Sequence, residues 1–117
     1  MSAGGVVRGT VVALLVALAG AAPARGQSES LRAAAKLTGL SSGMAAACQL
    51  STKPVLHAFR DLMDRKRILG RERKRLVALV SDAHDRAFAT QHKPGAMSCP
   101  EVRDQVQRTI QRLRRAK

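Results

Sequence analysis

Two phenylalanines, Phe59 and Phe88, are the only aromatic residues in this 117-residue chain. A core without large aromatic side chains has to be built from leucine, valine, isoleucine, methionine and alanine. Such a core buries little apolar surface in a small domain, which is then only marginally stable without a covalent or metal cross-link. The sequence therefore predicts one small domain that depends on an additional link.

The first 26 residues have the layout of a secretory signal peptide. Arg8 supplies the positive start, residues 11–19 form an uninterrupted apolar run, and small residues follow with two possible cleavage sites, at 22–24 and 24–26. A retained membrane anchor is the weaker alternative, because a spanning helix needs roughly 20 apolar residues. We expect residues 1–26 to be removed and residues 27–117 to form a single domain that is periplasmic or secreted.

The chain is strongly basic, with 21 lysines and arginines against 8 acidic residues and a formal net charge of +13. Removing Arg8 and Arg25 with the signal peptide leaves a net charge of +11. A charge of this size attracts anionic polymers and surfaces. Sequence-specific reading of nucleic acid is disfavoured by the expected export and by basic segments that offer no aromatic side chain for base stacking.

Four segments carry apolar residues at helical spacing, and none shows the alternation of a strand. We predict an all-α bundle of about four helices, over residues 30–48, 53–69, 71–90 and 99–115. The apolar stripes expected to face the core are Val55, Leu56, Phe59, Leu62 and Met63 in the second helix, Leu76, Val77, Val80, Ala83, Ala87 and Phe88 in the third, and Val102, Val106, Ile110 and Leu113 in the fourth.

Glycines and caps set the expected helix boundaries. Thr52 is a candidate N-cap of the second helix, and either Ser98 or Cys99 can cap the fourth; a proline follows closely in both cases. Gly39 and Gly43 weaken the first helix, so a kink or a break near Gly43 is an open alternative. Gly70 is expected to end the second helix, although a single long helix running through Gly70 is the competing interpretation.

Cys48 and Cys99 are the only cysteines, and both follow the predicted signal peptide. An oxidising compartment favours a disulfide, and the spacing is not that of a redox C-x-x-C motif. Closing a loop of roughly 50 residues stabilises a fold by about 4 kcal/mol in the chain-entropy model. We predict an intramolecular disulfide between the end of the first helix and the start of the fourth.

Residues that could perform chemistry are few. His57 and Asp61 lie four apart on one helix face, but the sequence places no nucleophile beside them. Asp82 and Asp85 flank His84 without converging on it. There is neither a glycine-rich phosphate loop nor an H-E-x-x-H motif. The sequence predicts a protein without catalytic activity or cofactor.

A copper site is the alternative use of the cysteines. Met44 lies one helical turn before Cys48, and Met97 lies two residues before Cys99. Two thiolates with two thioethers would suit Cu(I) if the cysteines were reduced. The spacing is not a compact metal motif, and methionines also fill gaps in cores. A periplasmic thiol- or copper-handling protein is therefore kept as the second functional hypothesis.

The remaining signal is a pair of basic clusters. Seven of the thirteen residues in the segment 64–76, DRKRILGRERKRL, are lysine or arginine, and the last helix carries a second cluster. Helical projection spreads the first cluster over more than one face, so part of it is expected to be solvated exterior. We predict a non-catalytic protein that binds an anionic envelope component or an acidic protein partner. The expected anion-binding residues are Arg65, Lys66, Arg67, Arg71, Arg73, Lys74, Arg75, Arg108, Arg112, Arg114 and Arg115.

Overall fold

The computed structural model describes residues 28–117, and the predicted signal peptide, residues 1–26, lies outside this part of the chain. The described residues form four α-helices and no strand, which confirms the predicted fold class. Residues Arg32–Lys117 form one compact unit, to which the packing described below belongs. The helices are α1 over 28–47, α2 over Lys53–Arg65, α3 over Gly70–Gln91 and α4 over Cys99–Arg115.

Two links fix the relative directions of the helices. The predicted disulfide is confirmed: it joins Cys48, just after α1, to Cys99 at the start of α4, with the two Cα atoms 5.6 Å apart. These two helices therefore run antiparallel. Arg65 at the end of α2 contacts Leu113 near the end of α4, and the two helices pack along each other in parallel. Among the described residues, no helix has the length and apolar character needed to cross a membrane.

The core lies mainly between α1, α2 and α4, with α1 at the centre. In α1 the buried positions point in most directions around the helix, whereas α3 buries only Leu76, Val80 and Ala87. The apolar core outside α3 consists of Ala35, Met44, Ala45, Val55, Ala58, Phe59, Leu62, Met63, Ile68, Val102, Val106, Ile110 and Leu113.

Two glycines bring α1 and α3 into unusually close contact. A β-carbon built on Gly39 would lie 2.6 Å from the β-carbon of Ala83, and one built on Gly43 would lie 2.8 Å from that of Ala87. Gly39 faces Ala83 and Gly43 faces Ala87, so residue numbers increase in the same direction along both helices, and α1 and α3 run parallel. α1 is continuous through this region, so the break considered near Gly43 is wrong. The two glycines allow the backbones of α1 and α3 to pack closely.

Hydroxyl groups form a second part of the α1 interface. Ser41 Oγ and Thr109 Oγ1 on α4 are 2.7 Å apart in the buried interior. Ser42 Oγ lies 3.0 Å from the Gly39 carbonyl and 2.8 Å from Nδ1 of His84 on α3. Every buried side-chain nitrogen or oxygen of the described residues has a hydrogen-bond partner, so hydrogen bonds within the protein offset the cost of removing these groups from water.

The end of α2 is the main correction to the predicted boundaries. Arg67 takes a left-handed conformation, with φ of 54°, and donates its N–H to the Asp64 carbonyl at 3.1 Å. The Ile68 N–H donates to the Met63 carbonyl at 2.9 Å, which completes a Schellman motif. α2 therefore ends at Arg65, four residues earlier than predicted. The break between the helices is confirmed, but Gly70, with φ of 62°, begins α3 instead of ending α2.

The apolar stripe of α4 is buried as predicted, whereas three predicted core residues are exposed. Val77 is 50% exposed, Phe88 42% and Leu56 37%. Val77 and Phe88 are exposed because α3 packs chiefly on α1 and buries only one narrow face. In α2, Ala58 is buried in the core, and Leu56 lies at the edge of that core.

The two predicted N-caps behave differently. Ser98 Oγ accepts the N–H of Glu101 at 3.4 Å, which is one half of a capping box, and its hydroxyl donates to the Glu101 carboxylate at 2.9 Å. Thr52 occupies the N-cap position of α2, but its side chain makes no capping hydrogen bond. Instead, Ser51 Oγ accepts the backbone N–H of Lys53 at 3.4 Å. The predicted site of the α2 start is confirmed, although the threonine hydroxyl does not cap it.

Candidate anion-binding surface

The two basic clusters meet where α2 and α4 end. Arg65 Nη2 donates to the Leu113 carbonyl at 2.9 Å and to the Ala116 carbonyl at 3.3 Å. Lys66 Nζ donates to the backbone oxygen of Lys117. The last carbonyls of a helix carry partial negative charge and lack partners within the helix, so Arg65 stabilises the end of α4, while Lys66 holds the residue that lies two positions beyond it. The structure therefore places side by side two clusters that lie about 40 residues apart in the sequence.

Arg73 joins α3 to the end of α2. Its Nη1 lies 2.7 Å from the Asp64 carboxylate and donates to the Ile68 carbonyl at 3.3 Å. The Arg73 side chain is partly buried. Together with Arg65 and Lys66, it has a structural role that the sequence did not reveal. These three residues are consequently less available to an external anion than their neighbours.

The other cations of the first cluster are exposed. Arg67 lies in the connection between α2 and α3, and Arg71, Lys74 and Arg75 follow in the first turns of α3. Within the described chain, none of them forms a salt bridge, and the one ion pair of this region is Arg73–Asp64. Their positive charges are therefore presented to solvent without a salt bridge, although Glu72 lies in the same first turn of α3.

The second cluster forms a basic groove along α4. Arg108, Arg112 and Arg115 follow one another at helical spacing and line a surface groove of about 550 Å³. Arg108 donates to the Gln105 side-chain oxygen at 3.2 Å, and Arg115 donates to that of Gln111 at 3.4 Å. Because both partners are neutral amides, they orient the guanidinium groups without cancelling their charge. Planar guanidinium groups can each make paired hydrogen bonds to phosphate or carboxylate.

We name this region the basic end of the molecule. Its opposite, the disulfide end, comprises the Cys48–Cys99 bond, the connection 48–52 and the connection 92–98. The concentration of positive charge at one end creates a field that a net charge spread evenly over the surface would not. The basic end consists of Arg65, Lys66, Arg67, Arg71, Arg73, Lys74, Arg75, Arg108, Arg112, Arg114 and Arg115.

The residues considered for copper or catalysis are arranged differently. The cysteine sulfurs are bonded to each other, so neither is a thiolate ligand in this state. Met44 is buried in the core, and Met97 lies exposed in the connection before α4. Among the described residues, no three histidine, cysteine, aspartate or glutamate side chains are grouped so that they could hold a metal ion.

The candidate acid–base residues are also separated from one another. Asp61 lies 3.8 Å from Arg60 and forms no salt bridge with His57, which shares its helix face. Asp82 pairs with Arg86 at 3.3 Å, and the imidazole of His84 faces Ser42.

Comparisons with known proteins identify no relative of this chain: no family model, curated protein or solved structure matches it. The basic end is the surface on which the structure concentrates the residues that the sequence selected for anion binding.

Proposed function

We propose that this protein is an exported, non-catalytic helical protein that binds anionic surfaces of the cell envelope through its basic end. The observation that carries the proposal is the meeting of the two basic clusters, joined by the hydrogen bonds of Arg65 and Lys66 to the end of α4. A surface that bears negative phosphate groups could then be contacted by both clusters at once. Each lysine or arginine near such a surface contributes about 1 kcal/mol of attraction.

The binding that this surface supports is electrostatic rather than selective for one molecule. Apart from Arg73, the cations of α3 and the arginines of α4 are exposed, and the α4 groove is open to solvent. Charges on such a surface are screened over about 8 Å at physiological salt, so binding should weaken steeply as salt rises. Vesicles, heparin and DNA should compete with one another for the same protein.

Export is supported by the disulfide and by the composition of the first 26 residues. Disulfides persist in the periplasm and outside cells, where thiols are not kept reduced. We expect protein recovered from outside the cytoplasm to lack the predicted signal peptide and to be about two daltons lighter than the dithiol form, because closing the bond removes two hydrogens. Intact-mass analysis before and after reduction measures both properties. Recovery of the full-length chain in the cytoplasm with reactive thiols would contradict the proposed location.

Neutralising the exposed cations of α3 should abolish most of the binding. We expect replacement of Arg71, Lys74 and Arg75 with glutamine to weaken association with anionic vesicles by about a hundredfold at low salt, from about 1 kcal/mol for each cation. Co-sedimentation with vesicles of phosphatidylglycerol and phosphatidylcholine measures this change. Arg73 is left intact, because its bonds to Asp64 and Ile68 belong to the fold.

Two controls accompany this measurement. Vesicles of phosphatidylcholine alone should not sediment the native protein, because they lack net charge. Circular dichroism and thermal unfolding should be the same for the native and substituted proteins, since the replaced side chains are exposed. Equal binding by the two proteins, or no binding of the native protein at low salt, would refute the proposed role of the basic end.

A further inference from the structure

A groove of about 440 Å³ runs along the surface between α1 and α3. Its floor is apolar and is formed by Leu40 and Met44 of α1 with Leu79, Ala83 and Ala87 of α3. The lining on α3 extends from Leu79 to Gln91, which corresponds to about 18 Å of helix at 1.5 Å per residue. These dimensions match a third helix of three to four turns lying against the other two.

The position of α3 in the bundle explains why this groove is open. α3 packs chiefly on α1, and its contacts with the bodies of α2 and α4 are slight. No described helix covers the flank that α1 and α3 share. Leu40 is consequently 43% exposed in the middle of the groove, although its neighbours on α1 are buried. Exposed leucine on the floor of a groove is typical of helix-binding surfaces.

The charges along the groove favour an acidic occupant. Lys36 lines the groove and forms no salt bridge within the described chain, whereas Asp82 and Arg86 neutralise each other at 3.3 Å. Arg32 lies one turn before Lys36, and Arg75 lies one turn before Leu79. Because α1 and α3 are parallel, Arg32 and Arg75 lie at about the same level, next to the mouth of the groove. Glu72, one turn before Arg75, offsets part of this charge, so the three cations leave one end of the groove with a net positive charge, and the middle of the groove is apolar.

We propose that this groove binds an acidic amphipathic helix of a partner protein. Apolar side chains of the partner helix would lie over Leu40 and Leu79, and its carboxylates would face Arg32, Lys36 and Arg75. A second copy of this chain is disfavoured as the occupant, because two molecules of net charge +11 repel each other and would bring like-charged grooves together. The proposal does not depend on the binding of anionic surfaces by the basic end.

Synthetic peptides test the groove directly. The probe is a fluorescent helical peptide of about 14 residues, with leucines along one stripe and glutamates elsewhere, titrated against the purified protein and followed by anisotropy. A second peptide carries lysine in place of glutamate, and a third has the composition of the first with the leucine stripe scrambled. We expect the acidic striped peptide to bind and the other two to bind at least about tenfold more weakly, because each lacks one of the two matching features.

Two leucines of similar exposure provide the matched variants. Leu40→Gln should weaken binding of the acidic peptide at least about tenfold, the loss expected when a leucine can no longer be buried. Leu56→Gln should leave it unchanged, because Leu56 is 37% exposed on α2 and does not line the groove. Lys36→Glu should also weaken binding of the acidic peptide, whereas Lys53→Glu should have little effect on it. All four variants should bind anionic vesicles nearly as the native protein does, which separates this proposal from the preceding one.

Three outcomes would overturn the proposal. In the first, Leu40→Gln binds the acidic peptide as tightly as the native protein. In the second, replacing Arg112 and Arg114 with glutamine removes peptide binding while Leu40→Gln does not, which would place the peptide on the basic end. In the third, sedimentation shows a dimer of the native protein that Leu40→Gln dissociates, which would make a second copy the occupant.

Discussion

Replacing Cys48 and Cys99 together with serine should lower the free energy of unfolding by about 4 kcal/mol. The bond closes a loop with a sequence separation of 51 residues, and in the chain-entropy model a loop of that length gives this magnitude. For a domain of fewer than 100 residues, such a loss lowers the melting temperature by about 20 °C. Urea titration followed by circular dichroism at both ambient and raised temperature measures the change.

The structural reason for so large an effect is the composition of the core. Phe59 is the one aromatic side chain buried in the described residues, and the other buried apolar side chains are aliphatic or methionine. The disulfide joins the end of the central helix α1 to the start of α4 at the disulfide end, where the connections 48–52 and 92–98 also lie. Reduction of the native protein should reproduce the serine variant. A variant within about 1 kcal/mol of the native protein would show that the fold does not need this bond.

Replacing Gly43 with alanine should destabilise the protein by about 1–3 kcal/mol, the usual range for overpacking. Helix propensity alone predicts the opposite sign, because alanine is favoured over glycine inside a helix by about 1 kcal/mol. The added β-carbon would collide with the His84 backbone carbonyl as well as with Ala87, and a backbone carbonyl cannot rotate away as a side chain can. Gly39→Ala should behave similarly against Val80 and Ala83.

The sign of the change makes this prediction easy to test. Urea unfolding of Gly39→Ala and Gly43→Ala is compared with that of Ala33→Gly, which changes an exposed position of the same helix. Ala33→Gly should cost about 1 kcal/mol through propensity alone. A stabilised Gly43→Ala variant would mean that α1 and α3 do not approach as closely as described.

Local rules predicted α4 from the sequence almost completely. Ser98 caps the helix, Pro100 fits its first turn, and Val102, Val106, Ile110 and Leu113 recur at helical spacing and are all buried. Each of these signals acts within a few residues and agrees with the others. The bounds of α4 therefore matched the prediction at both ends, and its buried stripe needed no knowledge of the neighbouring helices.

The errors arise where distant residues decide the structure. Gly39 and Gly43 weaken an isolated helix, but Ala83 and Ala87 have the same four-residue spacing and provide a smooth partner surface. That shared spacing is visible in the sequence and was the available signal for the close packing of α1 and α3. The spacing of Phe88 fits a helical apolar stripe and so predicts a buried residue. Phe88 is exposed because α1, on which α3 chiefly packs, covers only a narrow face of α3.

The sequence was enough to select the cations of the candidate surface, but it did not show how these residues are arranged in space. Composition identified the cations of the basic end, and helical spacing placed them on their helices. Which of them hold the fold together depends on the carbonyls at the end of α4, and Arg65 reaches these across a sequence separation of 48. The same is true of Arg73, whose partners Asp64 and Ile68 become neighbours only when Arg67 reverses the chain.

The most direct test of the central claim compares two variants with equal net charge. In one, Arg71, Lys74 and Arg75 at the basic end become glutamine; in the other, Lys53, Lys93 and Arg103, exposed on the half of the molecule near the disulfide, become glutamine. Co-sedimentation with anionic vesicles is measured for both at the same low salt concentration. If the basic end is the binding surface, the first variant loses most of the binding and the second keeps most of it. Equal losses in the two variants would contradict the account, because total charge and not its placement would then determine binding.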